Sequence, residues 1–155
     1  MSVTTRQRRP QEKHGRDYLF ITKKQFLYKK HAGHFLESQK VFDNYYGTPK
    51  KNVSDLLRRG KNVLLCIDVK GAKVIRRHFP EAVAIFIKTL SLNELKRRLL
   101  SRGSEDKKTI NLRLKIARQE LGEALHYKHI VINDSLFKAL NRLKKIITSE
   151  LRLNK

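Results

Sequence analysis

The chain has one cysteine, no tryptophan and only 14 acidic residues among 155. A single cysteine, Cys66, leaves no internal disulfide framework, which suits a reducing compartment. No apolar run is long enough to span a bilayer. The first residues, MSVTTRQRR, lack the apolar segment of a secretory signal. They are basic and acid-free, as transit peptides are, but too short for that reading. A cytoplasmic location without membrane attachment is expected. There are no internal repeats and no low-complexity linker. Also absent is Gly-x-x-x-x-Gly-Lys-[Ser/Thr], the loop whose backbone cradles nucleotide phosphates. What remains is one domain's length of chain, large enough to bury a core.

The shortage of acids sets the charge. Lysine and arginine number 36, giving a formal net charge of +22. Such a field attracts polyanions: nucleotides, nucleic acid or an anionic surface. A nucleotide site needs only a few of these cations. Pairs such as Lys23-Lys24, Lys29-Lys30, Lys50-Lys51, Arg76-Arg77 and Lys144-Lys145 read as solvated helix faces. Nucleic acid is a partner that the charge allows but that nothing else favours. The aromatics mostly fall in expected strands or in motifs rather than between surface cations.

The element pattern predicts a mixed first third and an alternating remainder. Residues 18–21 and 34–42 fit strands, and residues 23–31 fit a helix capped by Thr22 with Gly33 just past its end. Thr48-Pro49 predicts a second helix start, with Thr48 as N-cap, ending at Arg59-Gly60. The apolar runs 62–67, 83–87 and 129–132 suit strands of a parallel sheet. Helical segments 70–78, 92–101, 107–125 and 135–151 separate or follow them. Ser91 to Glu94 fits a capping box, and Asp134 is a candidate cap for the last helix. Strand–helix alternation implies an α/β fold with right-handed crossovers.

Four blocks carry more than composition. They are Ser2-Val3-Thr4-Thr5-Arg6 with Arg9 and Asp17-Tyr18-Leu19-Phe20; Gly33-His34-Phe35-Leu36-Glu37; Phe42-Asp43-Asn44-Tyr45-Tyr46-Gly47-Thr48-Pro49; and Leu64-Leu65-Cys66-Ile67-Asp68-Val69-Lys70-Gly71-Ala72. In this order and spacing the chain resembles the guanylate kinase family, over essentially its whole length. The resemblance implies phosphoryl transfer from ATP to GMP, with Mg²⁺ accompanying the ATP. It implies a P-loop kinase-like parallel sheet core, an inserted small α+β GMP-binding subdomain and a helical lid. The expected division is 1–50 for the GMP-binding subdomain, 51–90 with 118–155 for the core, and 91–117 for the lid. The family's N-terminal strand and P-loop would precede Met1, as a start assigned at an internal methionine would leave them. The 155-residue chain by itself is then expected to be inactive.

The resemblance assigns site residues, and their chemistry suits the task. Guanine presents N1–H and a 2-amino group side by side, and a carboxylate accepts both; adenine would leave that carboxylate unpaired. Glu37 and Asp68 stand at the family's guanine-reading acids, and Thr48 at a hydroxyl touching the base. A phosphate dianion suits planar guanidinium forks and phenol donors, here Ser2, Arg6, Arg9, Tyr18 and Tyr46. Phosphoryl transfer is mostly alignment and charge neutralisation. The implied lid arginines are Arg98, Arg102 and Arg113, with Asn133 near the adenine of ATP.

Several positions depart from the family. Arg8 replaces a proline before Arg9, Cys66 stands where an acid often lies near the metal, and Lys70 replaces a frequent glutamine. Lys88-Thr89-Leu90 replaces a proline-rich turn. No metal ligand is expected from these residues. Two other functions remain open at this level: a non-catalytic guanylate-kinase-like module holding GMP or a phosphopeptide, and a basic RNA-binding protein. Retention of Glu37, Asp68, Arg98, Arg102 and Arg113 favours the kinase.

Overall fold

The computed structural model describes residues 1–103 and 106–153. Residues 104–105, inside the expected lid, and 154–155 lie outside the described residues. The chain forms two units, Met1–Pro80 and Glu81–Lys155.

In the first unit, β1 (Val3–Thr4), β2 (Leu19–Phe20), β3 (Phe35–Val41) and β4 (Asn44–Pro49) make a sheet of order β2-β1-β4-β3. β1 runs parallel to β2 and antiparallel to β4, which forms a hairpin with β3. Helix α1 (Lys23–His31) opens on a complete capping box: Thr22 Oγ1 accepts from Gln25 N–H, and Gln25 returns its side-chain oxygen to Thr22 N–H. It delivers Phe26, fully buried, against Phe35 at 4.6 Å and Tyr45 at 5.3 Å between ring centroids. This aromatic cluster is the core of the unit.

One irregularity decides which face carries chemistry. Residues 37–41 of β3 pair with β4 in a constant register, but between Phe35 and Glu37 the register shifts by one residue. Phe35 therefore pairs with Pro49, whereas Glu37 pairs with Thr48. On a regular strand, residues two apart share a face. The bulge at Leu36 breaks that rule, so Phe35 joins the core while Glu37 faces the other way, beside Thr48 and Tyr46.

Thr48 is not the helix cap that its sequence context predicts. It lies in β4, and α2 (Lys50–Arg58) has Pro49 as N-cap without a side-chain cap bond. The cross-strand pairing with β3 holds Thr48, and its hydroxyl bonds Glu37 instead. Helix α3 (Val69–His78) is capped by Asp68 and packs on β3. The expected strand at 62–67 is not formed. The segment is apolar, but a strand exists only in a ladder, and among the described residues no strand pairs with it. Leu64 is consequently 76% exposed.

The second unit retains the expected parallel pairing. β5 (Ile85–Lys88) lies in register with β6 (His129–Ile132), so that Phe86 pairs with Ile130. Helix α4 (Leu92–Arg102) packs on α5 (Lys107–Gly122), and α6 (Leu136–Leu153) on β6. Phe86, Leu99, Ile110, Ala124, Val131 and Ala139 are buried. Gly103 ends α4 with φ 64°, a conformation that glycine adopts freely. The expected helix 107–125 passes into a 3₁₀ turn at Glu123–His126. Ser91 caps α4, but Glu94 does not reciprocate; its carboxylate holds Arg97 and Arg98. Ser135, not Asp134, receives the helical bonds that begin α6. Among the described residues, no helix is long and apolar enough to cross a membrane.

Candidate functional site

The polar face of the first unit's sheet gathers the predicted guanine residues. Glu37 is only 6% exposed and Thr48 3%. Thr48 Oγ1 donates to Glu37 Oε1 at 2.6 Å. Asp68 Oδ1 accepts from Gly71 N–H at 2.7 Å, which fixes the acid at the N-terminus of α3. Asp68 is thus a helix cap, and its second oxygen is not used by that bond. Burial pushes the Glu37 carboxyl above its ordinary value, and the nearby Asp68 charge pushes the same way, against the bond from Thr48.

Gly71 makes this arrangement fit. A Cβ built on it would lie 2.8 Å from Glu37 Oε2 and 3.2 Å from Asp68 Oδ1. The two carboxylates converge on a spot that only glycine leaves open. Gly71→Ala is expected to displace the Glu37 carboxylate and weaken GMP binding about tenfold, roughly 1.4 kcal/mol, with its fold intact by circular dichroism. Unchanged GMP affinity in a calorimetric titration would contradict that placement.

The predicted phosphate residues collect in the same unit. The Arg6 guanidinium lies 5.8 Å from the ring centroids of both Tyr18 and Phe20. Its Nη1 donates to Gln7 O and its Nη2 to Glu12 Oε1, each at 2.7 Å. The Tyr46 ring meets Tyr18 edge-on at 6.1 Å. Burial holds the Tyr18 phenol above its usual value, so it stays a neutral donor at physiological pH. Arg9 is more exposed and belongs to the turn closed by Glu12 N–H to Arg9 O at 3.1 Å. Pro10 occupies that turn's second position, which suits proline, although Arg8 replaces the proline before Arg9. Ser2 accepts from Leu19 N–H through its carbonyl at 2.9 Å. Ser2 and Thr48 also line a cleft of about 220 Å³ whose other walls include Val53, Leu56 and Leu65, with none of the arginines.

Sequence reasoning passed over Glu12 and Gly71. The signal for Glu12 was its rarity: one of 14 acids, three residues after Arg9. Nothing in one sequence marks Gly71 as a spacer for a carboxylate 34 residues earlier.

The remaining predicted residues lie in the second unit. Arg98 Nε donates to Glu94 Oε1 at 2.7 Å and Nη2 to Asn133 O at 2.8 Å. Asn133 N–H donates to Lys88 O at 2.7 Å. Arg98 therefore ties α4 to the end of β6 in this structure. Two arginines hold Glu94 at a pKa of about 2. Arg102 is exposed at the end of α4, and Arg113 is half-buried on α5.

These residues do not make a magnesium site. Mg²⁺ wants several oxygen ligands in octahedral array. Here Glu37 and Asp68 are bonded to Thr48 and Gly71, and Cys66 offers sulfur. No group of three His, Cys, Asp or Glu side chains among the described residues could hold a metal.

Residues 1–150 match the family model described as guanylate kinase. Over 150 residues, 97% of the chain, the sequence is 41% identical to a guanylate kinase of Clostridium acetobutylicum and 44% identical to one of Nitrosospira multiformis. The chain covers 72% and 71% of those proteins. The crystal structure of guanylate kinase from Anaplasma phagocytophilum matches with a TM-score of 0.83 at 35% identity, covering 96% of this chain and 73% of that one.

Proposed function

The chain belongs to the guanylate kinase family, and from that premise we propose that its first unit is a GMP site, serving phosphoryl transfer from ATP to GMP. One observation carries the site reading: the buried Glu37 carboxylate, bonded to Thr48 and converging with Asp68 at Gly71. A buried Glu37 carboxylate beside a half-buried Asp68 suits a ligand that brings its own adjacent donors. The guanine N1–H and 2-amino group are such donors.

In this reading Glu37 accepts both guanine donors, Asp68 flanks them and Thr48 holds the acid in place. Arg6, Arg9, Tyr18, Tyr46 and Ser2 receive the phosphate. A phosphate among such donors is fixed in orientation, which is the larger part of catalysis for this reaction. Arg98, Arg102 and Arg113 are assigned to neutralise charge on the transferring group, Asn133 to the adenine of ATP, and residues 91–117 to a lid. Mg²⁺ would arrive with ATP. A cytoplasmic location belongs to the same proposal.

The test is a calorimetric titration of the 155-residue chain with GMP and with AMP. GMP is expected to bind at least tenfold tighter, because AMP brings Glu37 no adjacent pair of donors to add to the Thr48 hydroxyl. Equal affinities would contradict the proposed guanine site.

A further inference from the structure

Glu12 belongs to no part of the guanine or phosphate set above, yet it touches both phosphate arginines. Its Oε1 accepts from Arg6 Nη2 at 2.7 Å and lies 3.9 Å from Arg9 Nη1. Its Oε2 accepts from Arg9 N–H at 2.9 Å. Its own N–H returns to Arg9 O. The side chain is 16% exposed, and Arg6 holds its carboxyl below the ordinary range. Resting on the GMP-site reading, we infer that Glu12 is a positioning residue, which orients Arg6 and Arg9 toward the GMP phosphate without touching it.

The sign of the charge gives the inference its content. A carboxylate beside a site for a dianion opposes binding through its field. If Glu12 were only a bystander, removing its charge would strengthen GMP binding. Its geometry argues the reverse. The Arg6 guanidinium is fixed on its face by Tyr18 and Phe20 and on its edge by Gln7 and Glu12. An arginine ordered beforehand loses less freedom when the phosphate arrives. Glu12 also separates two guanidinium charges that would otherwise repel across the turn. Without Glu12, Arg6 keeps its bond to Gln7 O and its aromatic contacts but loses the acceptor on its other edge.

The experiment compares GMP with guanosine, which lacks the phosphate, on the wild-type chain, Glu12→Gln and Glu12→Asp. Glutamine keeps the shape but has one acceptor oxygen for two donors, so its NH₂ must face either Arg6 Nη2 or Arg9 N–H. The expected result is a GMP dissociation constant raised tenfold or more in Glu12→Gln, with guanosine affinity unchanged. Glu12→Asp, charged but too short for both bonds, should fall between. Tighter GMP binding by Glu12→Gln would overturn the inference in favour of a bystander charge. Parallel loss of guanosine and GMP would overturn it in favour of a purely structural turn. If Glu12→Gln does not fold, Glu12→Asp decides by the ratio of GMP to guanosine affinity, an unchanged ratio overturning the inference. If the wild-type chain itself binds GMP no better than AMP, the GMP-site reading fails first, and that result is separate from the Glu12 comparison.

Discussion

Given ATP, GMP and Mg²⁺, the 155-residue chain is expected to show no measurable ADP formation in a coupled assay. Kinases ordinarily turn over at roughly 1–100 s⁻¹, so the expected deficit is orders of magnitude. The 155 residues contain no Gly-x-x-x-x-Gly-Lys-[Ser/Thr] pattern. That loop turns successive backbone N–H groups onto the nucleotide phosphates and supplies the hydroxyl that holds Mg²⁺. A lysine elsewhere, however abundant here, supplies charge without the cradle. Glu37 and Asp68 already accept from Thr48 and Gly71, and Cys66 is a poor ligand for a hard cation. Turnover in the ordinary range would contradict the expectation and require another phosphate cradle within these residues.

Glu37→Gln should weaken GMP binding by about 1–3 kcal/mol, the cost of leaving a buried donor poorly matched, or roughly 5- to 150-fold. The same substitution should not destabilise the ligand-free chain at pH 7. Burial raises the folded-state pKa of Glu37. A group raised in this way contributes stability that is complete below its unfolded value and is lost as pH rises through its folded value. At neutral pH the empty site therefore carries a carboxylate that the fold disfavours. Glutamine removes that charge and still accepts from Thr48. The melting temperature at pH 7 should stay level or rise, and the difference should shrink as acid protonates the wild-type Glu37. GMP affinity of the wild type should likewise fall with acid as Glu37 protonates. Guanosine serves as the control for the phosphate's own ionisation near pH 6. A clear drop in melting temperature with undiminished GMP affinity would show that Glu37 is structural.

The family blocks that nominate the proposed site are local in sequence, which is why they can be read without a structure. Arg6, Arg9, Tyr18, Tyr46, Glu37, Thr48 and Asp68 all fall in one unit, as a common GMP site requires. The helix from Thr22 and the parallel pair β5–β6 followed from capping and from β-branched runs. What was not legible has physical causes. Phe35 and Glu37 are two apart, and alternation alone puts them on one face; the bulge at Leu36 separates them. Thr48-Pro49 reads as a helix start, because local signals cannot show that a cross-strand partner claims the threonine. Residues 62–67 have strand composition, but composition does not supply a neighbouring strand. Arg98 reads as a basic helix face or a lid residue, and only tertiary contact shows its bond to Asn133 O.

In the proposed site guanine is read by Glu37 and the phosphate by Arg6 and its neighbours. A crystal structure of this chain soaked with GMP measures that most directly. Guanine N1 and the 2-amino nitrogen are expected within about 3 Å of the Glu37 carboxylate, and the phosphate among Arg6, Arg9, Tyr18 and Tyr46. A base seated away from Glu37, or a phosphate bound beside Lys144 and Lys145 instead, would contradict that placement.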